Sequence, residues 1–206
     1  MLTVFQDPEL ARLLQEYSQA GGVIDYVVFT GLQDRVASPA EHREAALLAM
    51  DEIKRQIERP PSCFTLRVLH PPGEPRLITA REFAGPFYDW RTEALVSPWS
   101  KGEVDPSPLQ EPPREPAYDF ATRGYAQAFG DPPHGLWLQG EPLNELFTAI
   151  NDRLWGGLHE ALDVRSWPTD WCNYFDEGHE WWGSFYWTVH SERTGLLVTV
   201  AASSTD

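Results

Sequence analysis

Two stretches near the end of the chain decide the fold: Ser184-Phe185-Tyr186-Trp187-Thr188-Val189-His190 and Leu196-Leu197-Val198-Thr199-Val200-Ala201-Ala202. Both are rich in β-branched and aromatic residues, which suit a pleated, packed surface. Glu192-Arg193-Thr194-Gly195 joins them, and a glycine in so short a connection marks a β-hairpin. Alternation along the first strand places Phe185, Trp187 and Val189 on one face and Tyr186 and Thr188 on the other. At least one of those faces must belong to a core.

Working outward, Val23 to Thr30 reads as a further strand, and so does Cys63 to Leu69, with Phe64, Leu66 and Val68 on one face. Three helices are predicted. The first opens at Asp7-Pro8, an N-cap followed by proline at the first helical position. It carries Leu10, Leu13, Leu14 and Tyr17 at helical spacing and stops at Gly21-Gly22. The second begins with the capping box Ser38-Pro39-Ala40-Glu41, carries Ala46, Met50, Ile53 and Ile57 on one side, and ends before Pro60-Pro61. The third starts at Pro142 and presents Leu143, Leu146, Phe147, Ile150 and Leu154 as one apolar stripe. Tyr118 to Phe129 fits helix or strand. Six prolines between Pro98 and Pro116 predict an extended arm, about 60 Å long at roughly 3.1 Å per residue. Strands and helices mix without regular β-α-β alternation, and no internal repeat is visible. The expectation is a single α+β domain over residues 1–206, with a mainly antiparallel sheet packed by about three helices.

Composition narrows the function. The 206 residues are 42% hydrophobic, enough for a core. No apolar run approaches the roughly 18 to 20 residues of a membrane helix, and the start lacks the basic and apolar regions of a secretory signal. The two cysteines, Cys63 and Cys172, make no disulfide framework, so a reduced pair in a cytoplasmic protein is expected. Aspartate and glutamate number 31 against 16 lysine and arginine, a net charge of −15. That excludes binding nucleic acid by neutralising phosphates and suits either plain solubility or a basic protein partner.

The densest chemistry lies at 167–187, where five of the nine tryptophans fall. The candidate binding residues are Asp170, Asn173, Asp176, Glu177, His179, Glu180, Trp181 and Trp182. Aromatic bodies beside polar tips offer large contact area at low entropic cost. Trp181 and Trp182 would point apart if extended, making one of them a candidate for exposure. The bland alternative is a core plus a solvated acidic turn at Gly178. One histidine among three acids matches no metal-ligand spacing, and the run is not His-Glu-x-x-His, so no metal or cofactor is expected. Cys172 reads as a buried small hydrophobe. No serine sits in a nucleophile elbow, and no phosphate loop occurs. His42, His70, His134 and His159 read as surface or capping residues.

The sequence therefore predicts an acidic partner-binding protein, of the kind that neutralises a basic toxin or effector as an immunity or inhibitor protein. The first alternative is a metal-dependent or acid/base hydrolase using Asp176, Glu177, His179 and Glu180. The second is a pocket in which aromatics cradle a small ligand. Geometry discriminates: acids converging in a concavity favour chemistry, and acids on a convex face favour docking.

Overall fold

A computed structural model describes residues 1–32, 35–58, 64–96 and 123–203, excepting the side chains of Glu180 and Trp181. The Pro-rich stretch 98–116 lies outside the described residues, as does Cys63. The strands are β1 (Thr3–Val4), β2 (Ile24–Thr30), β3 (Arg76–Ile78), β4 (Tyr88–Asp89), β5 (Ala94–Leu95), β6 (Asp163–Ser166), β7 (Phe185–Ser191) and β8 (Leu196–Ala202). The helices are α1 (Pro8–Gln19), α2 (Pro39–Ile57), α3 (Ala80–Ala84), α4 (Tyr125–Gly130), α5 (Glu141–Trp155) and α6 (Asp176–Trp181).

Six strands form one antiparallel sheet in the order β1-β2-β8-β7-β6-β3, with the β7–β8 hairpin at its centre; β4 and β5 pair separately. The α+β reading holds. The hairpin register runs from Phe185↔Ala202 to Ser191↔Leu196, and Ile24 pairs with Ala202 on the other side.

Both faces of the sheet are buried. Trp187, Val189, Val198 and Val200 face a core completed by α1, α3, α4 and α5. Here Tyr125 of α4 stacks on Phe83 and on Phe147 of α5, at 4.9 and 5.5 Å. The opposite face, with Tyr186, Leu197 and Ala201, is covered by Ala45, Ala49, Met50 and Ile53 of α2 and by Trp167, Trp171 and Phe175.

Local chemistry sets the helix ends. Asp7 Oδ1 accepts from the backbone N–H groups of Glu9 and Leu10 at 2.8 and 3.1 Å. Ser38 and Glu41 close a reciprocal capping box, and so do Thr79 and Glu82 at α3. The C-terminus of α5 is closed by Gly156 in the left-handed region at φ 70°. The α5 stripe of Leu146, Phe147, Ile150 and Leu154 is buried as its spacing predicts.

The strand expected from Cys63 to Leu69 needs correction. Residues 64–69 run extended but join no ladder; a single bridge links Val68 to Cys172. Their backbone partners lie in the 171–173 segment instead, through Leu69 N to the Trp171 carbonyl (2.8 Å) and Asn173 N to the Arg67 carbonyl (3.1 Å). Leu66 is buried, but Val68, expected on the same face, is exposed. Tyr118 to Phe129 resolves, in its described part, into the short helix α4.

Candidate functional site

After β6 the chain crosses the α2 side of the sheet, and its aromatics turn inward. Trp171 packs on Tyr186 with ring centroids 5.8 Å apart, Tyr174 meets Phe175 edge to face, and Cys172 is enclosed among them. Burial pushes the Cys172 thiol up, so it is a packed side chain and no thiolate nucleophile. Asn173 spends its amide on the fold: Oδ1 accepts from Arg67 N at 2.6 Å, and Nδ2 donates to the Thr65 carbonyl at 3.0 Å. Tyr174 Oη donates to Asp25 Oδ2 at 2.7 Å. Burial raises the Asp25 carboxyl, and that hydroxyl opposes the rise.

The acidic part is α6, where a turn at Gly178 was expected. Gly178 is buried inside this short helix, and a Cβ there would collide with the Gly183 carbonyl and the Ser184 hydroxyl. The glycine thus serves close approach, not a turn. Its carbonyl accepts from Gly183 N at 2.7 Å. Asp170, Asp176, Glu177 and His179 are exposed. His179 Nε2 lies 2.7 Å from Thr169 Oγ1, tying α6 to the turn that carries Asp170. None of the three carboxylates forms an ion pair among the described residues. Nor, among the described residues, do they line any of four clefts on the surface. Among the described residues, no group of three or more His, Cys, Asp or Glu is placed to hold a metal.

Trp182 cannot serve as an exposed anchor. It is 5% exposed, its ring meets Phe185 edge to face at 5.6 Å, and its Nε1 donates to the Asp131 carbonyl at 2.9 Å. That bond brings the 131–139 loop to the same end of the sheet, where Ile24, Ala202 and Phe185 align. The loop holds Trp137, which is 93% exposed, and the Trp137 N–H donates to the Ala20 carbonyl at 2.9 Å. Sequence reasoning passed over Trp137. The signal for it was the turn-forming Asp131-Pro132-Pro133-His134-Gly135 just before it; after that turn Leu136 is buried and Trp137 points out.

A second set missed from sequence is buried under α2. His42 is 0% exposed, where a surface or capping role was expected. Its Nδ1 lies 2.7 Å from Thr188 Oγ1, and Trp167 Nε1 donates to that same oxygen at 2.9 Å. Since the indole only donates, the hydroxyl proton is left for His42 Nδ1, which places the histidine proton on Nε2. Nε2 stands 3.6 Å from Asp163 Oδ2. Burial disfavours the Asp163 charge, but His42 and Arg165 outweigh it and hold the carboxyl below its ordinary value. His190, paired opposite Asp163, is pushed down by burial and by His42. The arrangement has the order hydroxyl, imidazole, carboxylate. Thr188 and His42 are nevertheless fully enclosed, so no substrate reaches them and the cluster belongs to the core. His159, also buried, departs from the surface reading too: its Nε2 faces the Trp155 carbonyl at 3.2 Å.

Compared with known proteins, the chain matches no protein family, no curated relative and no solved structure.

Proposed function

We propose that this is a binding protein whose docking surface is the end of the sheet carrying α6 and the 131–139 loop, and that its partner is a basic protein. The observation that carries this reading is the pairing of a fully exposed tryptophan, Trp137, with the exposed carboxylates of Asp170, Asp176 and Glu177. An exposed tryptophan is the side chain most enriched among interface anchors, and unpaired acids steer a basic partner. The net charge of −15 supports the sign of that partner. Neutralisation of a basic effector, as an immunity or inhibitor protein does it, is the form of binding that suits this charge.

The test captures partners from the native host with wild-type protein, Trp137→Ala, and the triple change Asp170→Asn, Asp176→Asn, Glu177→Gln. The triple variant should slow association and flatten its salt dependence. Trp137→Ala should speed dissociation, with a loss of roughly 2 kcal/mol. A partner held equally well by all three proteins would place the interface elsewhere.

A further inference from the structure

Beside the turn of the β7–β8 hairpin, at the end away from α6, lies a small pocket of about 120 Å³. Three parts of the chain build it: Tyr88 and Glu93 from the β4–β5 hairpin, Phe147 and Asp152 of α5 with Leu158 just beyond it, and Arg193 from the turn. It is far below the roughly 300–1,000 Å³ of a drug-sized site, so it suits a charged head group and a few carbons.

The walls are anionic. Glu93 and Asp152 are both exposed, and neither carboxylate has an ion pair or a hydrogen bond among the described residues. Arg193, the one cation among the described lining residues, already donates from Nη1 to the Gly156 carbonyl at 3.0 Å. The negative end of the α5 dipole falls at the same place. A separate observation points to a ligand. Tyr88 is only 7% exposed, yet its hydroxyl has no hydrogen-bond partner among the described residues. That oxygen is not sealed, since the enclosed orphan atoms of the fold belong to other residues and Tyr88 lines the pocket. Burial, then the Glu93 and Asp152 charges, push the phenol up to about 12, so it stays protonated at neutral pH. Two carboxylates are too few for a metal ion, and among the described residues no group of three or more His, Cys, Asp or Glu is placed to hold one. An ammonium carries three donors, and three acceptors border this pocket.

We infer that this pocket binds a primary alkylammonium, its three N–H groups donating to Glu93, Asp152 and the Tyr88 hydroxyl and its first carbons lying against Phe147 and Leu158. A free amine and a lysine side chain both offer that group. The site does not rest on docking at α6.

The experiment is an NMR titration of the ¹⁵N-labelled full chain at low salt with n-butylamine, 1-butanol and calcium chloride. Butylamine should shift the backbone amides of 88–95, 148–158 and 193–195, and butanol should leave them in place. The double change Glu93→Gln, Asp152→Asn should weaken butylamine at least about tenfold and melt no lower than wild type, since both acids are exposed and unpaired. Tyr88→Phe keeps the ring and should cost about threefold. The triple change at Asp170, Asp176 and Glu177 should bind butylamine as wild type does, which separates this site from the docking surface. Putrescine and Nα-acetyl-lysine N-methylamide then distinguish the sources: tighter binding of the first assigns a free amine, and of the second a lysine side chain. Equal shifts from butylamine and butanol, calcium binding tighter than the amine at the same amides, or butylamine held equally well by the double variant would overturn the inference. So would a marked loss of stability in that variant, which would make the two acids structural.

Discussion

Thr188 shows how one hydroxyl can organise two layers. It accepts from Trp167 Nε1 and faces His42 Nδ1, so α2, the crossing segment and the central strand meet at a single oxygen. Thr188→Val keeps the shape and removes the oxygen, leaving two buried nitrogens without partners. Each such orphan costs about 1–3 kcal/mol, so a loss of about 3 kcal/mol is expected by urea unfolding. Thr188→Ser keeps the hydroxyl and should lose much less. If valine and serine cost the same, the methyl packing and not the hydrogen bonds dominates this position. Arg43 adds to the same layer from above, its guanidinium 5.6 Å from the Trp167 ring centroid.

At the scale of elements, α5 is the helix on which the larger core depends. Phe147 touches the Tyr88, Tyr125 and Phe129 rings at 5.9, 5.5 and 4.9 Å. Phe147→Ala should therefore cost about 3–5 kcal/mol, measured as a shift of the urea midpoint at unchanged slope. A cost under about 1 kcal/mol would mean the cavity collapses without loss, which so many aromatic neighbours resist. The short strands behave differently. β6 spells Asp-Val-Arg-Ser and β3 Arg-Leu-Ile, and neither shows apolar alternation. They are strands because the hairpin and its neighbours offer a ladder, with Val164 opposite Val189 and Ile78 opposite Val164. Pairing partners are a tertiary property, so β6 and β3 were illegible in the sequence, while residues 64–69, which have the right composition, found no ladder to join.

The whole molecule carries histidines in its interior, and this makes its stability depend on pH. His190 is faced by His42, Asp163, Glu41 and Glu192, and its folded pKa lies below the ordinary value, chiefly through burial. His159 is lowered for the same leading reason. As pH falls through about 6.5, the unfolded chain takes up protons that the folded one refuses, so stability present above that pH is lost on acidification. Asp163, depressed in the folded state, adds a second loss in the same direction as pH drops through its folded pKa. The urea midpoint should be lower at pH 5.5 than at pH 7.5, and His190→Gln should shrink that difference. A midpoint that is flat or rises between the two would contradict it.

The sequence by itself determined the elements whose signals are local. Asp7-Pro8 and the Ser38–Glu41 box start helices because a side chain three residues or fewer away satisfies the free N–H groups. The hairpin is legible because its strands are adjacent and apolar and its turn carries glycine. The acidic charge and the position of the exposed carboxylates on 170–179 were also readable, since solvated charge needs no partner. What only the tertiary structure decided was which aromatics are spent on the core. Trp171, Tyr174, Phe175 and Trp182 share composition and spacing with a recognition surface, yet all are buried, while Trp137, some forty residues away in sequence, is the most exposed tryptophan among the described residues. The enclosure of His42 was hidden for the same reason. Burial is a property of what packs on top of a residue, and in this fold those neighbours come from distant parts of the chain.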